Sequence, residues 1–160
     1  MFFFILFNVD FFELSDFINL NDEIKTLKII KIIKIEKPVI NVFFISKCGI
    51  MYPSKKLPIK TKHYDYSEDH IIKSVNNSLK YLQTDYLDCL LLHRPSPLMD
   101  ISIVTDTINS LIKSGKIKGF GVSNFTTSQM EMFKGKVEIL YNQISPLALK
   151  RKFSYLNLIC

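Results

Sequence analysis

Four apolar runs, each closing on polar residues able to do chemistry, constrain this chain more than any other feature. Val39-Ile40-Asn41-Val42-Phe43-Phe44-Ile45 runs into Ser46-Lys47-Cys48-Gly49, and Tyr86-Leu87-Asp88-Cys89-Leu90-Leu91-Leu92 runs into His93-Arg94-Pro95. Residues 117–122 lead to Ser123-Asn124-Phe125, and Val137-Glu138-Ile139-Leu140-Tyr141 leads to Asn142-Gln143. Runs this short and this continuously apolar read as strands covered on both faces, the habit of a parallel sheet. Lys47, His93 and Asn124 then fall at equivalent points, the carboxyl ends of their strands.

The segments between the runs read as helices. Ser67 is a suitable N-cap with Glu68 and Asp69 in the first turn, and Ile71, Ile72, Val75, Leu79 and Leu82 recur at helical spacing. A second helix carries Ile101, Val104, Ile108, Leu111 and Ile112 on one face and ends near Gly115. Thr126 or Thr127 caps a shorter one running to Phe133. Residues 52–65 hold Pro53 and Pro58 among Ser, Lys and His and read as an exposed connection. Upstream, Lys25, Lys28, Lys31, Lys34 and Lys37 mark a basic amphipathic helix that Pro38 ends. The chain divides into a segment 1–37, a strand-helix unit 38–150 and a tail 151–160.

Strand and helix alternating in this order predict an α/β fold with parallel strands, and in such sheets function gathers at the carboxyl ends. No Gly-x-Gly-x-x-Gly follows a strand, which removes a Rossmann dinucleotide site and leaves a barrel. With 160 residues, 48% of them hydrophobic, one domain with a buried core is expected. The net charge of +6 comes from scattered Lys, with Arg only at Arg94 and Arg151, a pattern that argues against a nucleic-acid partner. Cys48, Cys89 and Cys160 form no Cys-x-x-Cys pair and fit a reducing, cytoplasmic setting, the first two as core filling. The opening apolar run at residues 2–7 is too short to span a bilayer and reads as a strand or a ragged terminus rather than a membrane element.

Ser46-Lys47-Cys48-Gly49-Ile50, the run 93–100, Gly121-Val122-Ser123-Asn124-Phe125 and Asn142-Gln143 together resemble the aldo-keto reductase family. The resemblance implies a TIM (β/α)8 barrel, here a partial one covering roughly the strand 2 to strand 5 units. It implies NADP as cofactor and hydride transfer to the carbonyl of a small aldehyde or ketone. Lys47 resembles the lysine whose charge lowers the pKa of a tyrosine acid, and His93 the histidine that holds the carbonyl oxygen. Ser123, Asn124 and Gln143 resemble the residues that hydrogen-bond the nicotinamide carboxamide.

The chain also departs from the family pattern. No Tyr precedes Tyr52, so the tyrosine acid has no counterpart ahead of Lys47, and the Ser/Lys/Arg clamp for the adenosine phosphates is missing. Tyr52, Tyr64 and Tyr66 lie in the loop after Lys47; they read as surface packing, with substitution for the missing acid as the alternative. Half a barrel is expected to leave two open strand edges that invite self-association. An oxidoreductase of doubtful activity and a non-catalytic barrel fragment serving interaction are therefore both open readings.

Overall fold

The computed structural model describes residues 2–7, 10–13, 42–53 and 59–144, with side chains from Phe43 onward. The basic segment 22–37, the tail 151–160 and Cys160 lie outside the described residues. In chain order the elements are β1 (Phe2–Phe7), β2 (Asp10–Glu13), β3 (Val42–Cys48), β4 (Ile50–Met51), β5 (His63–Tyr64), α1 (Glu68–Leu82), β6 (Cys89–Leu92), α2 (Ile101–Lys113), β7 (Phe120–Ser123), α3 (Thr127–Glu131) and β8 (Tyr141–Gln143). The main sheet runs β2-β1-β3-β6-β7-β8, and its β3, β6, β7 and β8 are parallel. This is part of an α/β barrel wall, as the alternation of runs and helices requires.

Strand parity sorts side chains onto two faces. Phe44, Leu90, Leu92, Phe120 and Val122 face the helices and share one core with Ile71, Val75 and Ile108. Ile45, Cys89 and Leu91 form a second, smaller cluster on the opposite face, with Phe43 and Tyr141 against it. That inner face is the one on which Lys47, His93, Ser123 and Gln143 fall by parity. Ser46, on the helix side, is joined to Ser78 of α1 by a buried 2.8 Å hydroxyl bond.

Local capping follows the sequence. Ser67 accepts from the His70 amide at 3.3 Å, and Gln83 in left-handed conformation closes α1. Thr126, not Thr127, caps α3 in a reciprocal box with Gln129. In α2 the cap is Ser114, and Gly115 takes the left-handed turn one residue later at φ 73. Ile112 is exposed rather than on the buried stripe; Thr105 and Thr107 are buried in its stead, their hydroxyls donating to the Ser102 and Ile103 carbonyls.

Two expectations about strands are corrected. Residues 137–140 are not a strand: Val137 and Ile139 pack on the helix-side core without a ladder, and regular pairing begins at Tyr141. An alternating apolar pattern reports one-sided burial, which an extended loop also satisfies. One of the two expected edges lies further out than β3, because β1 pairs antiparallel with it from Phe2↔Lys47 to Phe7↔Val42 and β2 with β1, so among the described residues the sheet ends at β2 and β8. At the amino end of the strands Asp88 is buried, accepting from the Phe44 amide at 2.8 Å and from Lys118 at 3.1 Å, while Lys118 also lies 3.6 Å above the Tyr86 ring.

Candidate active site

The register fixes how the polar strand ends meet. Lys47 pairs with Leu91, Leu91 with Gly121, and Gly121 with Tyr141, which makes one row across the inner face. The next inward row, reached one pleat repeat later, is Gly49, His93, Ser123 and Gln143; Ser123↔Gln143 is a direct pair, and the His93 amide donates to the Cys48 carbonyl at 2.9 Å. Lys47, His93 and Asn124 are therefore not level. Lys47 lies one row lower, and Asn124 one residue beyond the row. Parity in the sequence gives the face, whereas the level depends on inter-strand pairing.

Lys47 is buried, at 8% exposure, within β3 rather than past its end. His93 is half-buried at the top of β6, and burial, with the charges of Lys47, Arg94 and Lys62, lowers its pKa to about 3. The imidazole is neutral at ordinary pH and can hold a carbonyl oxygen by donating an N–H. Asn124 has φ 58; its Nδ2 donates to Ser123 Oγ at 3.0 Å, and its amide donates to the Gln143 carbonyl at 2.9 Å. Gln143 Oε1 is buried and has no hydrogen-bond partner among the described residues. A buried acceptor of this kind is costly unless a water or a ligand donor meets it.

Asn142, which parity turns to the helix side, was not singled out as a site residue by sequence. It clamps the loop after β7 from both directions, its Nδ2 donating to the Phe125 carbonyl at 2.9 Å and its Oδ1 accepting from the Phe125 amide at 3.4 Å. The pair Asn142-Gln143 thus divides between holding the loop and facing the site. The thiols of Cys48 and Cys89 are free and buried, and burial pushes both pKa values to about 12, so neither is poised as a nucleophile. Among the described residues there is no cluster of metal ligands and no helix long and apolar enough to cross a membrane.

A sequence profile of the aldo/keto reductase family matches residues 27–159. The chain belongs to this family. YcsN of Bacillus subtilis, an uncharacterized oxidoreductase, is 43% identical over 107 residues, 65% of this chain and 36% of that protein. The aldo/keto reductase from Klebsiella pneumoniae solved in complex with NADP and acetate superposes with a TM-score of 0.52 at 25% identity, over 76% of this chain and 38% of that one. The glycerol dehydrogenase AKR11B4 of Gluconobacter oxydans superposes with a TM-score of 0.56 at 26% identity, over 61% of this chain and 30% of that one. This aldo/keto reductase chain spans about a third of the length of the first curated relatives it matches.

The low pKa of His93 carries a stability consequence. An unfolded chain takes up this proton near pH 6.5, whereas the folded one does so only near pH 3. Between those values the unfolded state binds more protons, so stability falls as pH drops through the window and is untouched above it. The limiting slope is about 1.4 kcal/mol per pH unit, reduced here because solvent reaches part of the ring. His70, also lowered, chiefly by burial, titrates with the same sign, so the readout is a difference between proteins. Urea midpoints measured from pH 7 to pH 4.5 are expected to fall more steeply for the wild type than for His93→Gln; parallel curves contradict the assignment.

Proposed function

We propose that the inner-face row binds the nicotinamide end of NADP and serves carbonyl reduction of a small aldehyde or ketone. The observation that carries this reading is the orphaned Gln143 Oε1 beside Ser123 and Asn124. A carboxamide offers two N–H donors and one acceptor, which these three side chains complement. When bound, the reduced nicotinamide supplies the hydride. Ser123, Asn124 and Gln143 orient its ring, His93 donates to the carbonyl oxygen, and Lys47 places positive charge beneath it, where developing negative charge is stabilised.

Proton delivery is the weak step. The sequence has no tyrosine before Tyr52, Tyr52 and Tyr64 are exposed on the β4–β5 side, and the Tyr66 hydroxyl is engaged by the Arg94 backbone. If none of these tyrosines serves as the acid and no other group takes its place, turnover is expected about a hundred- to ten-thousandfold below that of a complete site. This supports a second reading, a barrel portion that binds without turning over and associates through its edges; β8 pairs only with β7 among the described residues. The buried free thiols support a cytoplasmic setting.

Fluorescence titration with NADPH tests the primary reading. Saturable binding is expected, weakened about five- to tenfold in both Asn124→Ala and Gln143→Ala, the effect of losing one net hydrogen bond each. A folded wild type that does not bind NADPH overturns it.

A further inference from the structure

Tyr66 is buried on the short segment between β5 and α1, at 7% exposure, with its ring stacked on Tyr64. Its hydroxyl donates to the Arg94 carbonyl and accepts from the Arg94 amide at 3.2 Å. Arg94 lies just past β6, where the strand ladder no longer supplies partners for these two backbone groups. Two further backbone bonds complete a ring. The His93 amide donates to Cys48 at 2.9 Å, and the Asp65 amide donates to Gly49 at 3.0 Å.

Gly49 is required by the same arrangement. Its φ is +104, and a Cβ there would enter the Tyr66 ring. The turn that leaves Lys47 and Cys48 thus lies directly against the tyrosine that holds Arg94. Three segments, 48–49, 65–66 and 93–94, are tied at one point, and the ends of β3 and β6 are fixed relative to each other.

We propose that Tyr66 is a positioning residue, a clasp that immobilises the His93 strand end by gripping the Arg94 backbone on both sides and bracing the Gly49 turn. The role rests on the reading of His93 as the carbonyl-holding residue. Among the described residues the cations bearing on His93 are Lys47 from β3, its neighbour Arg94 and Lys62 ahead of β5, while Cys48 and Tyr64 flank the Tyr66 ring. Releasing the clasp opens the strand end, admits water to the imidazole and loosens its placement among those charges.

Nuclear magnetic resonance on the full chain tests the clasp without cofactor or substrate. In the wild type, the Arg94 amide is expected to exchange with solvent at least about tenfold more slowly than an unbonded loop amide. Tyr66→Phe keeps the ring and removes both hydroxyl bonds. That variant is expected to lose the Arg94 protection and to raise the His93 titration midpoint by about one unit from its low value, with α1 signals unchanged. Ring packing alone would leave His93 where it was. Free exchange of the wild-type Arg94 amide, or an unmoved His93 midpoint in a folded Tyr66→Phe, overturns the proposal. Failure of NADPH binding in the wild type sinks the cofactor reading instead and leaves these signals as they are.

Discussion

Phe133→Ala is expected to destabilise the chain by about 3–5 kcal/mol, the cost of deleting a fully buried aromatic ring and leaving its cavity. Phe133 is 0% exposed and meets Phe120 at 5.7 Å and Phe125 at 6.2 Å between ring centroids. Phe120 opens β7 and Phe125 follows Asn124, so the ring buttresses both ends of the segment that presents Ser123 and Asn124. Its carbonyl also accepts from Lys136 and Val137, holding the turn that leads toward β8. Urea denaturation of wild type and variant measures the loss. A change below about 1 kcal/mol would mean that the site collapses freely and that this cluster is not close-packed.

Gly121→Ala is the second large effect, and it strikes the sheet itself. A Cβ at Gly121 would lie 2.5 Å from a Leu91 methyl, 2.6 Å from the Tyr141 carbonyl oxygen and 3.2 Å from the Tyr141 Cβ. Leucine can turn aside, but the carbonyl belongs to β8 and cannot move without disturbing the pairing with β7. Overpacking of this kind costs about 3 kcal/mol. It also shifts the row above, so NADPH binding is expected to fall further than stability alone predicts. Gly135→Ala provides the contrast: Gly135 has φ +75 and nothing within 4 Å of a built Cβ, so its cost is conformational, about 1 kcal/mol. Equal losses at the two glycines would remove the steric argument.

The sequence made the helix starts legible because capping is local chemistry. Ser67 is read from its own side chain and the residues that follow, while the choice between Thr126 and Thr127 needs the structure. Family resemblance was legible for a related reason: the strand-end residues are short motifs, each carried within one element. The relative height of Lys47, His93 and Gln143 was not, since parallel ladders set it between segments separated in sequence, Ile45 with Cys89, Leu91 with Gly121 and Gly121 with Tyr141. The antiparallel seat of β1 on β3 was equally hidden, because an apolar hexamer states that it is a strand without naming its partner. Tyr66 reads as surface packing because it sits in a polar loop, and the structure corrects this: Tyr66 is buried, whereas Tyr52 and Tyr64 are exposed.

The buried Asp88 with Lys118 sits at the amino end of β6, and His93 stands past its carboxyl end. Five residues of strand put about 16 Å between them. Changes that far apart with no shared partner combine as independent increments. The fold thus separates tolerance from performance: reserve stability can be gained or lost around Asp88 without redrawing the polar row on the inner face. Drift at one pole of the sheet leaves the other free to be selected.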